Sequence, residues 1–287
     1  MKSKTAKSLA FKLLVGGLSL LVGALFAYVF WFYFIRETET HREQIVPEVK
    51  IEKKADRTFT VNGCTFTMKY VKGGDFMMGA TAEQMQSWPD EKPAHHVIID
   101  DYYIGETEVT QELYKAVMGE NPSQFKGNDQ CPVENVSWVD CQNFVEALNR
   151  ETGEEFCLPT EAQWEYAARG GEHAESLIYS GGDDIDEVGW HKGNAGGKTH
   201  AVKTKRPNAL GIYDMTGNVM EWCNDYFGKY STATQENPTG PSYNYDEKHV
   251  IRSGAWCFAA KHCRLTNRSG DKEFSKSYCS GFRIAMQ

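Results

Sequence analysis

Leu13 to Ile35 reads LLVGGLSLLVGALFAYVFWFYFI, 23 residues without a charge. As a helix, such a run is long enough to cross a hydrocarbon core of about 30 Å. Its C-terminal end is aromatic (Tyr28, Phe30, Trp31, Phe32, Tyr33, Phe34), which suits a membrane–water boundary. Its N-terminal flank is basic without acidic residues, at Lys2, Lys4, Lys7 and Lys12, whereas its C-terminal flank mixes Arg36 with Glu37 and Glu39. The positive-inside bias predicts a cytoplasmic N-terminus and an extracytoplasmic (periplasmic or cell-surface) chain beyond Arg36. The alternative is a cleaved signal peptide. Ala27 is the plausible cleavage residue, and cutting there leaves YVFWFYFI as an apolar new N-terminus. The retained, single-pass reading divides the chain into a basic tail (1–12), an anchor (13–35), a charged stalk (36–57) and one domain (58–287), with no Pro/Gly/Ser linker inside that domain.

Removing those four lysines from the 31 basic residues leaves 27 against 39 acidic ones beyond the anchor. A surface so acidic argues against nucleic acid as a partner, since phosphate recognition needs a basic footprint. All eight cysteines (Cys64, Cys131, Cys141, Cys157, Cys223, Cys257, Cys263, Cys279) lie on the exported side. An oxidising compartment permits disulfides among them. Their spacings are not those of a zinc site. There is no Walker loop, dinucleotide fingerprint or serine-hydrolase order.

Helices are expected at Thr110–Met118, Ser137–Arg150 and Thr160–Arg169. The second places Trp138, Cys141, Phe144, Val145 and Leu148 on one face. The third opens on a Thr160/Gln163 capping box and stops at Gly170-Gly171. Strands are expected at Phe66–Val71, His96–Ile99, Val250–Arg252 and Phe282–Ala285. Short strands, few helices and long Gly/Asn-rich connections indicate an α+β fold. Glu161 and Glu165, one helical turn apart, read as cap and surface charge. The acidic run Asp183, Asp184, Asp186, Glu187 reads as a solvated loop.

An ordered set of motifs carries a resemblance: Gly73-Gly74-Asp75-Phe76-Met77-Met78-Gly79, Glu106–Thr110, Pro132–Trp138, Leu158–Gly171, Pro207–Met215, Gly217–Trp222 and Gly281-Phe282-Arg283. Together they resemble the sulfatase-modifying-factor family, whose founder is the formylglycine-generating enzyme. The resemblance implies a variant of the C-type lectin fold with little regular secondary structure. It also implies an oxidase that converts a sulfatase cysteine to formylglycine with oxygen and copper(I) held by two thiolates. Soft thiolates favour that ion.

Two departures bear on the activity. The enzyme's catalytic thiols have four residues between them, whereas Cys257 and Cys263 here have five, after Ser253-Gly254-Ala255-Trp256. Met220 stands where the enzyme carries Trp. Cys257 and Cys263 are the candidate catalytic pair; the other readings are a mutual disulfide or two buried thiols. His262 beside them is a candidate base or an exposed residue. By the same resemblance, Asp214 and Glu221 side chains with Gly217 and Val219 carbonyls form a structural calcium site. The chemistry agrees, since calcium takes hard carboxylate and carbonyl oxygens. Asn218 reads as a hydrogen-bonding residue, and the family's second calcium site is degraded around Asn194.

Two functions are therefore expected. The preferred one is a membrane-held, non-catalytic module that grips a peptide, glycan or cell-envelope partner. The alternative is a copper- and oxygen-dependent oxidase maturing exported sulfatases.

Overall fold

A computed structural model describes residues 22–34 and 54–287 apart from Asn244. Residues 22–34 form a helix, α1. Among the described residues no helix is long and apolar enough to cross a membrane. The rest of the expected anchor, residues 13–21 and Ile35, lies outside the described residues, as does most of the stalk.

A second unit spans Lys54–Gln287. Its strands are β1 (Arg57–Val61), β2 (Cys64–Val71), β3 (Gly74–Met78), β4 (His95–Ile99), β5 (Tyr102–Gly105), β6 (Phe156–Cys157), β7 (Met220–Tyr226), β8 (Gln235–Glu236), β9 (Lys248–Arg252), β10 (Ser269–Lys272), β11 (Ser280–Gly281) and β12 (Ala285–Met286). Its helices are α2 (Gln111–Met118), α3 (Trp138–Thr152), α4 (Glu161–Arg169) and the single turn α5 (Ile185–Val188). The strands form three sheets, ordered β1-β2-β5-β12-β6, β10-β9-β7-β11 and β3-β4-β8. The architecture is mixed α+β.

The three expected helices form where capping chemistry marks them. Thr110 accepts the Leu113 N–H and Gly119 closes α2 in the left-handed conformation. Ser137 with Asp140, and Thr160 with Gln163, form reciprocal capping boxes on α3 and α4. Helix α3 buries Cys141, Phe144, Val145 and Leu148, with Trp138 partly covered. These pack with α2 and strands β1 and β2 in one core. A second core joins β3, β4 and β5 to Ala162, Trp164, Tyr166, Ala167 and Ala168 of α4.

Two local expectations are corrected. Phe282–Ala285 is not a continuous strand. The chain pairs with β7 through Ser280–Gly281, leaves the ladder, and pairs with β5 and β6 only at Ala285–Met286. The crossing turns Arg283 inward, where it is fully buried. Glu161 and Glu165 are not surface charges either. All nine residues of α4 are buried, because the helix runs through the interior rather than over it.

Candidate functional site

Three neighbouring features carry the chemistry: an internal Glu/Arg lattice, the Asp214–Glu221 loop, and the turn that holds the late cysteines.

The lattice radiates from α4. Glu161 Oε1 accepts from Arg252 at 2.6 Å and from Arg268 at 2.7 Å, and Oε2 accepts from Arg268 at 2.6 Å. Glu165 accepts from Arg252 at 2.8 Å and from Arg169 at 2.8 Å. Burial works against ionising Glu161, but the paired guanidiniums of Arg268 and Arg252 outweigh it and hold the carboxyl at about 2. These pairs fasten the β9 and Arg264–Arg268 segments to the core helix. Arg264 is in turn paired with Glu91.

In the loop, Gly217 has φ 79° and its Cα approaches the Trp190 carbonyl so closely that a Cβ would lie 2.1 Å from that oxygen. Only glycine fits there. Asp214 Oδ2 accepts the Lys203 N–H at 2.9 Å, while Oδ1 is buried without a partner among the described residues. Glu221 takes Arg283 through both oxygens, at 2.6 and 2.7 Å, and Trp164 Nε1 at 2.6 Å. A third buried carboxyl, Glu108, accepts from Asn218 Nδ2 at 2.7 Å and from the Val219 N–H at 3.0 Å. Asn218 thus supports the loop by hydrogen bonds. Burial, followed by the charges of Asp214 and Glu221, pushes Glu108 well above the ordinary carboxyl range. Burial likewise lifts Asp214 to about 6. The Arg283 guanidinium and Trp164 already take both Glu221 oxygens, so Asp214 Oδ1 is the one carboxylate oxygen of Asp214 and Glu221 left for a hard cation. Among the described residues no three His, Cys, Asp or Glu side chains converge as a metal cluster. A cation here would therefore need the Gly217 and Val219 carbonyls together with Asp214 and Glu221.

The cysteine turn does not bring the expected pair together as free thiols. Cys257 is disulfide-bonded to Cys279, so of the readings open in the sequence the Cys257–Cys263 disulfide is not the one formed. Cys263 is a free, fully buried thiol. Its sulfur packs on the backbone of Gly254, where a Cβ would come within 2.6 Å of it. Burial pushes the thiol up to about 12, so at neutral pH it is protonated. One sulfur bonded to Cys279 and one buried thiol do not fit copper(I), which needs two thiolates.

Beside this turn is a cavity of about 260 Å³. Trp88, Met220, Phe258 and His262 supply its apolar wall. Trp88 stacks on His262 with centroids 6.0 Å apart and planes 13° apart. Lys261 lies 5.3 Å over the Trp88 ring. His262 is half-buried, and burial together with Lys261 and Arg264 lowers its pKa. Sequence reasoning gave no individual role to Glu108, Arg252 or Arg283, and it read Glu161 and Glu165 as cap and surface charge. For Arg252 the available signal was an arginine ending an apolar strand, Val250-Ile251-Arg252.

A family model described as the Sulfatase-modifying factor enzyme 1-like domain matches residues 57–287, and the chain belongs to this family. A relative named chaperone protein LppX, from Paenibacillus barcinonensis, is 35% identical over 195 residues, covering 50% of this chain and 68% of that protein. The formylglycine-generating enzyme of Streptomyces coelicolor is 34% identical over 182 residues, 57% of this chain. The chain spans 55% of that enzyme's length. The solved structure of Treponema denticola variable protein 1 superposes with a TM-score of 0.74 at 31% identity, covering 81% of this chain and 99% of that one.

Proposed function

We propose that this domain is a non-catalytic binding module of its family, whose aromatic cavity grips a peptide segment of an exported or cell-envelope protein. One observation carries the reading: Cys257 is spent on Cys279, and Cys263 is a buried, protonated thiol. The family's oxidation needs both sulfurs free. Met220 at the cavity wall, in place of an aromatic ring, leaves Trp88 and Phe258 as the apolar grip. The uncharged run Leu13–Ile35 would hold the domain outside the membrane. A structural calcium at Asp214, Gly217, Val219 and Glu221 would neutralise the buried acid cluster without taking part in binding.

The similarity to the Streptomyces enzyme favours a second reading, copper- and oxygen-dependent formylglycine formation on an exported sulfatase. The two are separated by incubating the purified protein with copper(I), oxygen and a cysteine-containing sulfatase peptide. The expected mass spectrum shows unmodified peptide. An aldehyde that vanishes in Cys263→Ser would establish the oxidase instead.

A further inference from the structure

On the other side of Arg268 from the aromatic cavity is a second hollow, of about 210 Å³. The chain from Gly228 to Pro241 covers it, and the first turn of α4 contributes Glu161 and Ala162 to its floor. Four ionisable side chains line it while being almost fully buried: His95, Glu161, Asp225 and Arg268, at 3, 4, 4 and 4% exposure. Polar groups buried so deeply are normally paired. Two of these are, because Glu161 and Arg268 are bonded to each other at 2.6 and 2.7 Å.

The other two keep spare capacity. Asp225 Oδ2 accepts the Glu161 N–H at 2.9 Å, and beyond that bond and its own backbone N–H the carboxyl has no other hydrogen-bond partner among the described residues. His95 Nδ1 lies 3.2 Å from the Pro93 carbonyl, and Nε2 likewise has none. The ring of His95 is held in place against Tyr230, with centroids 4.9 Å apart. A carboxyl and an imidazole nitrogen are thus left over in the lining of one hollow.

Charge and size narrow what could use them. Asp225 and Glu161 are countered by Arg268 and Lys229 in the same lining, so neither an anion nor a cation meets a field of one sign. Burial and the neighbouring Glu161 raise Asp225 to about 7, so its carboxyl can donate as well as accept near neutral pH. The hollow is smaller than the roughly 300–1,000 Å³ of sites for drug-sized ligands. Its remaining wall is apolar, with Met78, Tyr226 and Pro238.

We propose that this hollow binds a neutral, hydroxyl-rich ring of monosaccharide size, with Asp225 and His95 making the polar contacts. The site is separate from the aromatic cavity, and its occupancy does not depend on how that cavity is used. The test is saturation-transfer NMR and calorimetry at pH 7 on the full-length protein. The probes are methyl α-glucopyranoside, methyl α-mannopyranoside, methyl α-galactopyranoside and methyl N-acetyl-β-glucosaminide, with tetramethylammonium as the cationic control. At least one glycoside is expected to bind, and Asp225→Asn and His95→Phe are each expected to weaken it about tenfold, roughly the loss of one good hydrogen bond. Asn keeps an oxygen for the Glu161 N–H, and Phe keeps a ring against Tyr230, so both variants preserve the packing. Binding of no glycoside, binding that neither variant weakens, or a preference for tetramethylammonium would overturn the assignment.

Discussion

Replacing Glu161 with Gln tests whether the internal lattice holds this loop-rich domain together. The carboxylate accepts three short bonds from Arg252 and Arg268 and a fourth from Tyr230 at 3.1 Å. Glutamine removes the charge and leaves two buried guanidiniums facing each other. A carboxyl held at about 2 instead of its ordinary 4.5 corresponds to about 3 kcal/mol. Removing one member of a buried pair independently suggests about 3–5 kcal/mol. Urea unfolding at pH 7 is therefore expected to show a loss of about 3–5 kcal/mol in E161Q. Because the folded pKa is depressed, the stabilisation is fully present above pH 4.5 and is lost as pH falls through about 2. The wild-type advantage should close across that window. Adding Arg268→Met to E161Q should cost less than the two single losses combined. A loss under about 1 kcal/mol, or one that does not change between pH 4.5 and 2, would refute the reasoning.

Asp225 has the opposite sign: its folded pKa is raised from 3.8 to about 7, so its contribution is complete below pH 3.8 and lost as pH rises through 7. Asp225→Asn should therefore gain stability over wild type on going from pH 4 to pH 8, by up to about 4 kcal/mol in paired urea titrations. For the loop, chelation of calcium should lower the Tm, and Asp214→Ala should abolish that response; an unchanged Tm on chelation would remove calcium from the account. Alkylation of the denatured, unreduced chain should label six cysteines and spare Cys257 and Cys279. Cys279→Ser opens a loop with a sequence separation of 22, and unfolding should show a loss of about 3 kcal/mol by chain entropy.

The local rules were legible because they act within a few residues. Thr110, Ser137 and Thr160 cap the helices they precede, and Gly119 and Gly170 end two of them. The ordered motifs from Gly73 to Arg283 placed the chain in its family. Burial of charge was not legible. A glutamate four residues from another on a helix looks solvated until Arg252, 91 residues away, and Arg268, 107 residues away, are brought against it. The same holds for Glu108, whose partner Asn218 is 110 residues distant.

Composition and pattern alone therefore determined the uncharged N-terminal run, the helix ends and the family, because each follows from neighbouring residues or from motif order. Only tertiary structure decided that Cys257 bonds Cys279 rather than Cys263, and that α4 carries its charges inward. Both depend on which distant segments share a small buried volume, where desolvation makes every unpaired charge costly and so selects the pairs.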